Sequence, residues 1–324
     1  MDVVIVCHTE YGCVKGRDII YRKSAVEGVT KGVRNLAGVA DRYGAKVTFA
    51  VMPETAKSFP VDTGHEIGLH VHSGTEEVRC GEEVVRIGDD YLREHCGIRS
   101  TSSVLNDHTF EDQLAMIGAG KDRIKDVLDV TPAVFVAGRW SINNDTVKAL
   151  VQSGFSHDCS AVPGAGPAHY DWSRLPRICM PYYPHEEDYQ RHGQVPLLMV
   201  PVSRSLLGAS VSPELVPLIG LPWLKACFLE YYRLGMPLFH ICLHSPSMTD
   251  KYYLDAMASL LGFIAGHKVA FKFASEITAS ETVPSRADIR PYMAGINRNM
   301  IKASSVLCRR LARSAAAGLR AVVS

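Results

Sequence analysis

Two pairs of chemically capable residues stand two positions apart at the ends of apolar runs. One run closes as Val6-Cys7-His8-Thr9-Glu10 and another as Gly68-Leu69-His70-Val71-His72. In an extended strand, residues i and i+2 emerge on the same face, so each pair presents its side chains together. Two imidazoles so placed are the start of a site for zinc or another divalent ion, which needs a third protein ligand and an open position to be catalytic. A helical H-E-x-x-H reading fails, because His65-Glu66 is followed by His70 at i+5 and leaves the helical face. Taken singly, a histidine is better explained as a hydrogen-bonded structural residue. The recurrence of paired strand ends is what points to a metal.

Two more runs bring chemistry to strand ends. Val134-Phe135-Val136-Ala137 is followed by Arg139, and an arginine there can orient a carboxylate or hold a substrate oxygen. Phe239-His240-Ile241-Cys242-Leu243 ends in His244, a rim histidine suited to general acid work, with His240 packed earlier in the strand.

These residues need a scaffold that gathers strand ends. Seven short apolar, β-branched runs recur: Val3 to Cys7, Lys46 to Met52, Ile67 to Val71, Val134 to Ala137, Leu197 to Val202, Phe239 to Leu243 and Val269 to Phe273. Helical patterns fall between them at about 25–43, 109–129, 144–153, 213–233 and 250–265. Ser24 to Glu27 forms a capping box, Asn144 or Asp145 caps the third helix, Asp107 caps the helix that follows it, and Ser212-Pro213 opens the fourth. Gly44, Gly154 and Gly266 close three of them. Continuous apolar strands alternating with helices predict a parallel α/β sheet or barrel, whose active site gathers at the carboxyl ends of the strands. The stretch from Pro163 to Gln194, rich in Gly, Pro, Tyr and His, reads as a long irregular connection.

Composition removes whole classes of function. The chain has 324 residues, 47% of them hydrophobic, and a formal net charge of +1, so no global field marks nucleic acid as a partner. Nine cysteines with no C-x-x-C pair make neither a disulfide framework nor a zinc finger. Gly118-Ala119-Gly120-Lys121 lacks the spacing of a phosphate loop, and the Gly164–Ala168 segment follows no strand. Met1-Asp2-Val3-Val4-Ile5-Val6 lacks the basic lead of a signal peptide and no stretch reaches the length of a membrane span, so a reduced, cytoplasmic protein is expected. From Asn297 onward the chain carries Arg298, Lys302, Arg309, Arg310, Arg313 and Arg320 with no acid, leaving −5 on the rest. At helical spacing these six share one arc, opposite Met300, Leu307 and Leu311. Such a basic amphipathic helix can dock on the protein body or make a peripheral contact with an anionic membrane.

In order as well as type, these residues resemble the metal-dependent polysaccharide deacetylases, the NodB-homology proteins of carbohydrate esterase family 4. Gly64-His65-Glu66-Ile67-Gly68-Leu69-His70 is similar to the family's second motif. Phe135 to Arg139, with Gly154-Phe155 and Asp158-Cys159-Ser160 after it, is similar to the third. Leu198 to Ser203 and Leu243-His244 match later strands, and Phe271-Lys272-Phe273 with Glu276-Ile277 the closing one.

The resemblance implies an α/β fold, a distorted (β/α)7 barrel over residues 1–277, with 278–324 as an extension bearing the basic helix. It implies a divalent metal, zinc first, and removal of an N-acetyl group from an amino sugar or glycan precursor, with His244 as the acid. Two positions depart from the pattern: His8 stands where the family has a base aspartate, and Gly74 where it has a second histidine, with His72 available in its place. The rearrangement we expect has His8, His70 and His72 on the metal and Glu10, oriented by Arg139, as base. The reverse assignment makes Glu10 a ligand and His8 the base. Hydrolysis of another non-peptide amide, and a barrel that only binds a glycan or a partner, are the competing functions.

Overall fold

The computed structural model describes residues 1–74, 76–80, 83–166, 170–205 and 209–280. The basic helix expected beyond Asn297 lies outside the described residues, and so does most of the expected extension. Eight parallel strands form one sheet: β1 (Asp2–Thr9), β2 (Thr48–Val51), β3 (Glu66–Val71), β4 (Val134–Ala137), β5 (His157–Asp158), β6 (Leu198–Met199), β7 (Leu238–His244) and β8 (Ala270–Lys272). Their order is β6-β5-β4-β3-β2-β1-β7, with β8 also on β1. One edge of β1 serves two partners: Asp2 to Val4 pair with β8, and Val6 to Thr9 pair with β2. The sheet curls into a half-barrel, and across its open side the Ser203 N–H donates to the His240 carbonyl (3.2 Å) and the Cys242 N–H to that of Val211 (3.1 Å).

Alternation along β1 decides what each face does. Val3, Ile5 and Cys7 point outward into the layer of helices, whereas Val4, Val6 and His8 point into the barrel. The barrel floor is apolar, built from Val4, Val6, Val134, Val136, Leu198 and Val200. The outer layer comprises α1 (Lys31–Asp41), α2 (Asp90–Cys96), α3 (Phe110–Leu128), α4 (Asn144–Gln152), α5 (Val216–Ile219), α6 (Leu221–Arg233) and α7 (Lys251–Ala265). Leu36, Ile117, Leu150 and Leu260 from these helices are wholly buried, and each such side chain stabilises the fold by about 1.5–3 kcal/mol. None of the described helices is long and apolar enough to cross a membrane.

Several local expectations are corrected. No capping box forms at Ser24; Val26–Gly28 is a 3-10 turn, and α1 begins only at Lys31. Asn143, not Asn144 or Asp145, caps α4, with Thr146 completing the reciprocal pair. Thr109 caps α3, whereas Asp107 accepts a hydrogen bond from the Ser102 hydroxyl (2.7 Å). The helix expected over 213–233 is broken at Gly220, just before Pro222 in the first turn of α6. Helix α2 was not anticipated; Asp89 caps its start and Gly97 ends it. Among the described residues of the Pro163–Gln194 connection, Pro184–His185 pairs antiparallel with Asp188–His192 and Tyr182 bridges to Met199.

Asp158 on β5 is wholly buried and accepts hydrogen bonds from the hydroxyl (2.6 Å) and backbone N–H (3.1 Å) of Ser160. Burial pushes its carboxyl up to about 7 against those hydrogen bonds. The folded chain then keeps a proton that the unfolded chain releases near pH 4, so stability falls as pH rises from about 4 to about 7. Asp158→Asn should raise stability relative to the parent by about 4 kcal/mol at pH 8, and not at pH 4. Thermal unfolding at the two pH values checks this: a constant difference between the proteins would contradict it. Asp89, also pushed up to about 7 by burial, keeps its own share of the slope in both.

Candidate active site

The carboxyl ends of β1, β3 and β7 bring five of the expected residues together. His8 is paired in register with His244, and their rings meet edge to face at 4.8 Å. The His8 ring also stacks on His70, with centroids 4.8 Å apart, and His72 lies 6.0 Å beyond His70. Glu10, one residue past the end of β1, places Oε1 3.1 Å from His70 Nε2. The backbone N–H of Glu10 donates to the Ser245 hydroxyl (3.1 Å), which ties the loop after β1 to the loop after β7.

Hydrogen bonding sets what each ring can offer. His70 Nδ1 donates to the Val136 carbonyl (3.0 Å), leaving the Nε2 lone pair aimed at a carboxylate oxygen. Two lone pairs cannot face each other at that distance without a cation between them, either a proton or a metal. His8 Nε2 and His72 Nδ1 are buried without a hydrogen-bond partner. Buried polar atoms normally have one, and orphaned nitrogens around a carboxylate are what a metal site looks like without its ion. The donor set of imidazole nitrogen and carboxylate oxygen therefore fits a divalent metal of the zinc type. Ligand atoms of His8, Glu10 and His244 also lie within 4.8 Å of one another.

The electrostatics separate the histidines. Burial, followed by the neighbouring His70, His244, His240 and His72, holds His8 well below the ordinary imidazole range. Burial brings His72 down to about 4, against the pull of Glu10. Burial would raise Glu10, but the His70 hydrogen bond and the charges of His244, His70 and His72 bring it down to about 2. His244 goes the other way. Burial disfavours its charge, yet Glu214, by charge and hydrogen bond, raises it to about 9 with help from Glu10. The Glu214 carboxylate accepts from the His244 backbone N–H (2.7 Å) and from Nδ1 (3.0 Å).

Arg139 stands at the same rim and lowers the pKa of His72, whereas the side-chain hydrogen bond to Glu10 comes from His70. Arg139 and Trp140 both have φ of 56°, a strained conformation for residues with a side chain. That turn sets the Trp140 ring edge-on to His8 at 4.9 Å, and the Trp140 carbonyl accepts the Trp172 indole N–H (3.0 Å). His240 is buried in β7, as expected, with Nδ1 on the Val200 carbonyl at 3.1 Å.

Two glycines decide which histidine serves. A Cβ on Gly138 would lie 2.8 Å from the His72 ring, so only glycine there lets His72 occupy the barrel mouth. Gly74 has φ of 63°, and a Cβ on it would sit 1.9 Å from the Ser102 carbonyl oxygen, so a histidine at the family's second position has no room. His72 takes the inward-facing place instead.

Glu214, Trp140 and Tyr21, whose ring lies 5.7 Å from that of His244, were missed in the sequence. Ser212-Pro213-Glu214 reads locally as a helix start, where an acid is expected for the helix dipole, and nothing in that stretch announces a distant histidine. Only the seating of that turn beside the end of β7 makes Glu214 a partner.

No protein-family model and no curated protein matches this chain. Solved structures do. A Mycobacterium smegmatis protein assigned as a polysaccharide deacetylase superposes with a TM-score of 0.55 at 16% identity, covering 88% of this chain and 94% of the other. One from Pseudomonas aeruginosa PAO1, similarly assigned, gives 0.54 at 15% identity, covering 85% and 88%. The 4-alpha-glucanotransferase of Thermococcus litoralis gives 0.51 at 14% identity, covering 86% of this chain but 39% of its own. The chain therefore has the fold seen in polysaccharide deacetylases, the distorted barrel that the motif order predicts. Because a glucanotransferase shares it, the chemistry must be argued from the site.

Proposed function

We propose that this chain is a divergent metal-dependent deacetylase that hydrolyses the acetamido group of an amino sugar or glycan precursor. The observation that supports this reading best is the meeting of Glu10 with His8, His70 and the Glu214-backed His244 at one barrel mouth, with the His72 ring 6.0 Å from that of His70. Glu10, His70 and His72 would hold the ion, zinc by the nature of its donors. When bound, a divalent ion acts as a Lewis acid on the acetyl carbonyl and makes water a nucleophile at neutral pH.

The chain's own groups divide the proton traffic. His8 Nε2, buried and without a partner, accepts the proton released as water attacks the carbonyl carbon. His244, held through Nδ1 by Glu214, has Nε2 left to protonate the departing amine nitrogen, without which an amide C–N bond does not break at neutral pH. Two groups at one site pushed apart in pKa, His8 down and His244 up, are the arrangement that acid and base roles require. Trp140 closes the side of His8 away from solvent. Arg139 stands at the same rim, where its charge lowers the His72 pKa.

This differs from the expectation that Glu10 is the base and His8 a ligand. Glu10 turns a carboxylate oxygen to the His70 Nε2 lone pair, which suits a ligand shared with that imidazole better than a base. Glu10→Gln is expected to release the metal from the zinc-loaded protein, as read by elemental analysis after dialysis. Full metal occupancy with turnover lost would return Glu10 to the role of base.

A further inference from the structure

We infer that Asp89 is a positioning residue for His72, and that Glu54 acts with it to hold that ring where a metal would meet it. The inference rests on the deacetylase reading only in taking His72 as a metal ligand.

His70 and His72 are held in different ways. His70 lies inside β3, in register with Val136, and its Nδ1 donates to the Val136 carbonyl (3.0 Å), so strand and ring are both fixed. His72 follows the last residue of β3, beyond the register that ends at Val71 and Ala137, and its Nδ1 is buried without a hydrogen-bond partner. Gly138 leaves room for the ring but does not aim it. With no bond at Nδ1, the aim of the ring leans on the backbone, and there the His72 carbonyl accepts the Asp89 N–H (3.1 Å).

Asp89 is wholly buried, and its own place is pinned at three points. Its Oδ1 accepts the Leu92 N–H (3.0 Å), its Oδ2 accepts the Glu54 N–H (3.1 Å), and the next residue, Asp90, donates its N–H to Glu54 Oε2 (2.8 Å). Glu54 follows β2 in the turn Pro53–Ser58 and is anchored in its own right. Lys23, in the loop that follows β1, forms an ion pair with it (2.9 Å), and the Tyr11 hydroxyl donates to its carbonyl (3.2 Å). Lys23 also pairs with Asp90, so one ammonium offsets the carboxylates that crowd here. The N–H that holds His72 therefore sits on a segment tied to the loops after β1 and β2. A ligand has to be held to within about 0.5 Å of its working place, and groups one step removed from the ion supply that precision.

The test is zinc affinity at pH 8, by competition with a metal-binding dye, for the parent and for Asp89→Asn, Glu54→Ala and Asp158→Asn. In Asp89→Asn the amide nitrogen cannot accept, so one of the two hydrogen bonds to the side chain is lost. Glu54→Ala removes the acceptor for the Asp90 N–H and leaves Asp89 unaltered. Both variants are expected to bind zinc about ten-fold or more weakly than the parent. Asp158→Asn changes an equally buried carboxyl that is bonded to Ser160, and is expected to bind zinc as the parent does. Parental affinity in both Asp89→Asn and Glu54→Ala, or an equal fall in Asp158→Asn, would overturn the inference. Should Asp89→Asn not fold, Glu54→Ala decides alone. Acetate release by the parent is followed in parallel. A parent that holds no zinc sinks the metal reading and this inference together, whereas one that holds zinc and releases no acetate sinks deacetylation alone. A parent that does both, beside variants that bind zinc equally tightly, sinks this inference alone.

Discussion

His244→Ala is expected to lower turnover by about 10²–10⁴-fold while the protein remains folded and keeps its metal, since a positioned general acid contributes about that much. The loss should fall on kcat, because the group acts when the amine leaves and contributes little to holding the substrate. Glu214→Gln probes the same proton from behind. With Glu214 in place the imidazole stays charged to about 9, so activity should hold on the alkaline side until about that pH and then decline. Removing the carboxylate takes away the charge that raises His244, so in Glu214→Gln the decline must move to lower pH. Rate against pH for parent and variant reads this directly. A His244→Ala protein as fast as the parent, or an alkaline limb unmoved by Glu214→Gln, would remove His244 from the mechanism.

The second large effect is on the metal. The His70→Ala, His72→Ala double variant should lose one equivalent of zinc that the parent retains after loading and dialysis, and with it all measurable deacetylation. Two of three proposed protein ligands disappear, leaving Glu10 alone, and one carboxylate cannot hold the ion against dialysis. Treating the parent with a chelator should abolish activity, and zinc should restore it. If neither protein holds metal, the hydrolase mechanism fails and the chain becomes a barrel that binds a glycan without cleaving it. The His8 substitution and the glycine at position 74 make that outcome worth excluding first.

Much of the fold was legible in the amino-acid order. The apolar runs that became β1, β2, β3, β4 and β7 are strands within one or two residues at each end, because strands covered on both faces must be apolar throughout. The run over Leu197–Val202 kept only Leu198–Met199 as regular strand, although Val200 and Val202 still donate to the Asp158 and Ala161 carbonyls before Ser203 reaches across the open side to His240. Helix starts were less legible. Any of several neighbouring Asn, Asp, Ser and Thr residues can cap a helix, and packing chooses among them, as with Asn143 over Asn144 and Thr109 over Asp107.

For the site the division follows distance along the chain. Period-two spacing alone put His8 with Glu10 and His70 with His72 on shared faces, and parallel topology alone sent those faces, Arg139 and His244 to one rim. What spacing cannot carry is which atoms meet. That Glu10 touches His70, that Glu214 charges His244 from thirty positions away, and that Lys23 straps two other loops all depend on loops whose paths are set by close backbone approaches. The exclusion of a side chain at Gly74 and the strained Arg139-Trp140 turn are of the same kind. Periodicity is a local property of extended chain and survives in sequence, whereas contact between loops is decided only when the barrel closes and each side chain must find room and a partner.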